Sequence, residues 1–357
     1  MPLKFRDKVF HALGILSLLF LMAALFLARR PLRTQDEMRT ASRRMAEAVA
    51  AVRDCREAAG IPVNPLPDIN RTGLIGLESS PITTSLGNLE AKRTTVNPNF
   101  AGLIVLLLRQ SGVGRGESIA IGASSSFPGL IIASLCAAEA MDLRPLLICS
   151  LGASHWGANH PEFHWLQILD CLIRSRFLTT EPIALSLGGD GDIGKDMSPE
   201  GRELLVRAAG ETGLPFLSEP DLERNVAKRL RLFETAVGGA GIRAFINVGG
   251  GYANMGTDSE ILKVSPGLAV FSRIPPRGRR GVIFEMAARG IPVIHLLYIK
   301  GLCERYGLPW DPAPLPQPGE GDFYRQKEVI PWTFLALAGA YFLLIAIVLA
   351  SAARSSH

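Results

Sequence analysis

The chain has 357 residues, a formal charge of +5, 48% hydrophobic residues and a mean hydropathy of +0.22. That length is enough for one large domain with a full hydrophobic core. A charge this small, with no basic stripe interleaved with aromatics, excludes a nucleic-acid binder.

The apolar excess sits at the two ends. Residues 9–28 (VFHALGILSLLFLMAALFLA) and 329–350 (VIPWTFLALAGAYFLLIAIVLA) carry no formal charge and are long enough to predict bilayer-spanning helices. Trp332 and Tyr341 suit a membrane interface. A cleavable signal peptide fits the first segment less well, because the run passes straight into Arg29-Arg30 without a small-residue cleavage site. Both termini then share one side. The short tail with Lys4, Arg6 and Lys8 favours the cytoplasm, whereas Arg29, Arg30 and Arg33 pull the opposite way. A long domain crosses largely regardless of charge, so the tail decides and the domain is expected outside.

Residues 30–62 are rich in helix formers and stop at Gly60 and Pro62, which predicts a stalk helix. A long polar, irregular segment follows, of the kind that carries function in compact domains. From about residue 97 short apolar runs alternate with helical patterns. Strands are expected at ESIAIG, PLLICSLG, PIALSLGG, LPFLS, RAFINVGGG and IPVIHLLYI. Helices are expected at NFAGLIVLLLRQSG, 128–140, PEFHWLQILDCLIR, 198–211, 221–237 and RGVIFEMAARG. This alternation predicts a parallel sheet built from βα units, over 63–310. Residues 311–328 read as a Pro-rich linker, and 329–357 as the second membrane helix and its tail.

Four predicted strands end in Gly-rich polar clusters: 122–126 (GASSS), 150–155 (SLGASH), 188–192 (GGDGD) and 249–252 (GGGY). If the strands are parallel, these clusters converge beyond their carboxyl ends, where open α/β sheets bind ligands. Ser124, Ser125 and Ser126 precede a helix opened by Pro128, and fit capping with anion or carbonyl binding better than nucleophilic catalysis. The second glycine of a G-x-S-x-G elbow is missing. Gly189 to Lys195 mimics a phosphate loop, but Asp196 stands where Ser or Thr would bind magnesium. Asp190 and Asp192 are instead candidates for binding a cation or amine, for a general base, or for a solvated turn.

His155 directly follows a strand end and is the candidate acid or base. His160, His164 and Glu162 have poor geometry for zinc, because Pro161 separates His160 from the helix. His295 reads as a core histidine. The five cysteines lack metal spacing and do not demand an oxidising compartment; Cys136 and Cys149 read as core residues. No metal or cofactor is expected.

The segments at 72–101 (TGLIGLESSPITTSLGNLEAKRTTVNPNFA), 122–130 (GASSSFPGL), 150–166 (SLGASHWGANHPEFHWL), 186–194 (SLGGDGDIG) and 246–256 (INVGGGYANMG), taken in that order, resemble the poly-gamma-glutamate system protein family. These are bacterial membrane proteins encoded beside the poly-gamma-glutamate synthase components. The resemblance implies a role in making, exporting or processing this anionic polymer, with no catalytic residue to carry over. It puts an acidic residue at the position of His160, which weakens a zinc site further. It also singles out Glu78, Ser80, Thr83, Thr84, Lys92 and Arg93 as a polar set suited to the carboxylates of a glutamyl chain, on a lid over the strand ends.

The expected fold is therefore a Rossmann-like α/β domain with a mainly parallel sheet between N- and C-terminal transmembrane helices, in a two-pass protein of the bacterial inner membrane. The expected function is binding of the polymer or its precursor at the strand ends, with Asn159, Gly249, Gly250 and Gly251 joining the polar set. The expected partners are the synthase membrane components, the polyglutamate chain and the lipid bilayer. A hydrolase or transferase of glutamyl amide bonds, with serines 124–126, His155 and Asp190 or Asp192 in its site, is the alternative.

Overall fold

The computed structural model describes residues 3–325 and 332–354; side chains in the two terminal helices are described at 11, 13–24 and 34–58, and at 335–350. It divides into two compact units, one of Met1–Asp36 with Arg325–His357 and one of Glu37–Tyr324.

The larger unit is α/β. Its strands are β1 (Ser118–Ser124), β2 (Arg144–Ser150), β3 (Asn159–His160), β4 (Phe163–His164), β5 (Ala184–Ser186), β6 (Phe216–Leu217), β7 (Ile242–Val248), β8 (Gly267–Leu268) and β9 (Val293–Leu296). Seven of them form one sheet in the order β6-β5-β2-β1-β7-β9-β8, parallel except for β8, while β3 and β4 make a small hairpin. The parallel sheet follows from the sequence: β1 is buried along its whole length, as a strand covered on both faces must be. From β1 the chain builds outward through β2, β5 and β6, then returns to the other side of β1 with β7. That reversal leaves a topological switch point between β1 and β7, where ligand clefts form.

The helices are α1 (Leu3–Ala58), α2 (Leu89–Thr95), α3 (Asn99–Gln110), α4 (Pro128–Ala140), α5 (Trp165–Arg174), α6 (Pro199–Glu211), α7 (Leu222–Val237), α8 (Tyr252–Met255), α9 (Val282–Ala288), α10 (Ile299–Tyr306) and α11 (Trp332–Arg354). The side chains of Ser198 and Asp221 cap α6 and α7, where the sequence places helix starts. Residues 161–164 depart from the expected helix. They belong to the hairpin, and the His164 side chain caps α5 by accepting the Leu166 N–H at 3.4 Å.

The expected stalk is part of the core. Met38, Ala41, Met45, Ala48 and Val52 of α1 are buried at three- and four-residue spacing, so one face of the helix packs into the α/β unit. A disulfide between Cys55 and Cys171 joins α1 to α5. The expected Pro-rich linker also packs onto this unit as far as Tyr324, which is 3% exposed and bonded to Ser42 and Asn99.

The expected membrane spans are not found. Among the described residues no helix is long and apolar enough to cross a membrane. Residues 9–28 are the leading part of α1, which runs on through the charged residues that follow. Residues 329–331 and the tail 355–357 lie outside the described residues. The two-pass inner-membrane placement is thereby withdrawn, together with the outside location that rested on it. Within the smaller unit, Ser17 Oγ and Tyr341 Oη are hydrogen-bonded at 2.8 Å, and the Phe20 ring stacks on Tyr341.

Candidate functional site

A cleft of about 900 Å³ opens at the carboxyl ends of the parallel strands. Residues at or beyond the ends of β1 (Ser124, Ser126, Phe127), β2 (Ser154), β5 (Gly189, Asp190, Asp196), β7 (Gly250, Gly251, Tyr252) and β9 (Tyr298, Lys300) line it. Residues 84–88 and Lys92 complete the wall, so part of the long irregular segment does border the strand ends. Gly87 is required there: a Cβ would sit 2.4 Å from the His155 carbonyl oxygen.

The three serines have separate fates. In parallel register Ser124 pairs with Ser150, and Ser150 with Ser186, so hydroxyls stand at one level across β1, β2 and β5. Ser124 Oγ donates to Ser126 Oγ at 3.0 Å, and both residues line the cleft. Ser125 is fully buried, donates to the Ser150 carbonyl at 2.6 Å and does not reach the cleft. None caps α4, whose N-cap Phe127 makes no side-chain cap bond.

The two aspartates also separate. Asp192 is buried against Arg229 at 2.5 Å and accepts from Ser186 Oγ and Asn225 Nδ2, which makes it a structural ion pair rather than a base. Asp190 is exposed and lines the cleft beside Asp196, whose Oδ1 accepts the Asp190 N–H at 3.0 Å.

His155 is half-buried and does not line the cleft; among the described residues its ring makes no hydrogen bond. The Ser/His/Asp arrangement is therefore not assembled. Among the described residues no three His, Cys, Asp or Glu side chains are grouped to hold a metal ion.

Most of the early polar set holds the fold together. Asn159 is fully buried; its amide bonds both backbone groups of Leu77 at 2.8 Å and Thr83 Oγ1 at 2.9 Å. Ser80 Oγ donates to the Asn159 carbonyl at 2.6 Å. Glu78 is exposed and off the cleft; Thr84 lines it. Gly249, at φ 78°, turns the chain after β7 and leaves Gly250 and Gly251 as the lining residues.

Neither basic residue of this set is a free surface cation. Arg93 makes a two-point ion pair with Asp311 and does not line the cleft. Lys92 is 3% exposed and has no carboxylate partner among the described residues. Its Nζ donates to the Ser126 carbonyl and to Ser154 Oγ, the latter at 2.7 Å, and lies 3.7 Å from the centre of the Phe127 ring. Burial pushes this ammonium down to about 7.

Ser154 is the site residue that sequence reasoning passed over. It is 6% exposed, and its N–H donates to Ser126 Oγ at 2.9 Å. The signal was present, since Ser154 stands in the strand-end cluster SLGASH, but a partner 62 residues earlier has no local signature. Compared with known proteins, the chain matches no family model, no curated protein and no solved structure.

Proposed function

We propose that the cleft binds a short γ-glutamyl unit, either a chain end or a precursor, in the synthesis or export of poly-gamma-glutamate. The five ordered motifs that resemble the poly-gamma-glutamate system family support the substrate class. One structural observation carries the reading: the cleft has charge of both signs at its two ends. Asp190 and Asp196 follow β5, whereas Lys300 follows β9. Four strand spacings separate those strands, about 19 Å at ~4.8 Å each.

The interior of a polyglutamate chain offers only carboxylates, and two aspartates would repel it. A chain end or free glutamate offers an ammonium as well. In this reading the ammonium sits at Asp190 and Asp196, and a carboxylate sits at Lys300. Hydroxyls of Ser124, Ser126 and Thr84 and the Gly250–Gly251 backbone meet the amides between them. The synthase components are the proposed partners.

Calorimetry on the full chain tests this with a γ-linked glutamyl trimer. The free trimer should bind, and N-acetylation should weaken it at least tenfold. Asp190→Asn with Asp196→Asn should erase that difference. Absence of binding by both trimers, or equal affinity for them, overturns the reading.

A further inference from the structure

Resting on that reading of the cleft, we propose that Ser154 and Lys92 are a nucleophile–base pair that transfers a glutamyl acyl group through an ester on Ser154 Oγ.

The geometry comes first. Ser154 lines the cleft with its Oγ 2.7 Å from Lys92 Nζ, within the range of an activated hydroxyl and its base. The lysine reaches it from α2, whose residues 91 and 92 also line the cleft. Ser126 positions the pair from both sides. Its carbonyl accepts from Nζ, and its Oγ accepts the Ser154 N–H.

The chemistry suits the amine form of lysine. A neutral Nζ donates to the Ser126 carbonyl and takes the Ser154 O–H on its lone pair, with no heavy atom displaced. Phe127 favours the ammonium when it forms, since a cation over a ring face is stabilised. Among the described residues no carboxylate pairs with Nζ to fix the charge. Burial sets the proton affinity near neutrality, where a general base works best.

The step balances without an outside oxidant or reductant. Ser154 Oγ attacks the amide carbonyl carbon while its proton passes to Nζ, and a C–O bond forms. The ammonium returns that proton to the leaving nitrogen as the C–N bond breaks, which leaves a glutamyl ester on Ser154. Water, or the amine of another glutamyl unit, then attacks the ester. Its proton goes to Nζ and from there back to Ser154 Oγ. Water gives hydrolysis; an amine gives chain transfer.

The test treats the full chain with a fluorophosphonate probe, which phosphorylates activated serines with loss of fluoride, and maps the adduct by mass spectrometry. The adduct is expected on Ser154. Lys92→Met should slow labelling about 10²–10⁴-fold, as loss of a general base does. Lys92→Arg should slow it similarly, because it keeps a cation that cannot accept a proton. Ser154→Ala should abolish labelling while the glutamyl trimer still binds, which separates the pair from the binding site. Circular dichroism checks that each variant folds. Labelling of Ser154 without trimer binding sinks the ligand assignment and leaves the pair standing. Trimer binding without a Ser154 adduct, or undiminished labelling in folded Lys92→Met, overturns the pair.

Discussion

Asp192 and Arg229 form an ion pair buried on both sides, with Oδ2 2.5 Å from Nη2 and side-chain exposures of 3% and 4%. Ser186 Oγ donates to Asp192 and accepts from Arg229 Nη2, and Asn225 bonds both Asp192 Oδ2 and Arg229 Nε, so two shared partners brace the pair. It ties the loop after β5 to α7 and so sets the position of Asp190 and Asp196 on the cleft wall.

Removing one partner leaves an uncompensated buried charge. Asp192→Asn is therefore expected to cost about 3–5 kcal/mol in urea unfolding. Labelling of Ser154 in the surviving folded fraction should be retained. A stable Asp192→Asn variant without labelling would make Asp192 a catalytic group after all.

The disulfide between Cys55 and Cys171 spans 116 residues and holds α1 against α5. Replacing both cysteines by alanine should lower stability by about 2–5 kcal/mol. Wild type under reducing conditions should lose a similar amount. Equal unfolding midpoints for oxidised and reduced protein would show that the bridge contributes nothing.

What could be read from the sequence, and what could not, follows from the range of the interactions. The parallel sheet was legible because β1 and its neighbours are continuous apolar runs, and the strand-end clusters marked the edge that carries the cleft. The burial of α1 was harder to see. Met38, Ala41, Met45 and Ala48 are small or flexible, and charged residues sit between them, so the apolar stripe is thin. Lys92 and Arg93 look alike in sequence, yet one is desolvated beside Ser154 and the other is neutralised by Asp311, 218 residues away. Long-range pairing of that kind leaves no periodicity to detect.

His164 and His295 should make the protein acid-sensitive. Burial pushes both imidazoles down to about 4, from an ordinary value of about 6.5. The unfolded chain then binds protons on both as pH falls below about 6.5, while the folded chain resists until about 4. Their contribution to stability is full above pH ~6.5 and is lost progressively down to pH ~4. Between pH ~6.5 and ~5 the loss should be about 2 kcal/mol for each histidine, at ~1.4 kcal/mol per pH unit. The double variant His164→Asn, His295→Asn should show a correspondingly shallower slope in denaturant titrations. Parallel slopes for the variant and wild type would rule this source out.

The serine cluster gives the sharpest separation of roles. Ser125 Oγ donates to the Ser150 carbonyl, which also accepts the Ser125 N–H at 3.1 Å, so that carbonyl keeps a partner when the hydroxyl is removed. Ser125→Ala should therefore cost only about 1 kcal/mol of stability and leave both trimer binding and Ser154 labelling unchanged. Ser126 Oγ is instead the acceptor for the Ser154 N–H, and that donor is buried. Ser126→Ala strands the donor, at a cost of about 1–3 kcal/mol. It should also slow labelling, because the backbone that aims Ser154 Oγ at Lys92 is no longer fixed. Unfolding curves and adduct yields on the two variants decide the matter. If Ser125→Ala stops labelling in a folded protein while Ser126→Ala does not, the buried serine is the functional one and the assignment of roles across this strand end is wrong.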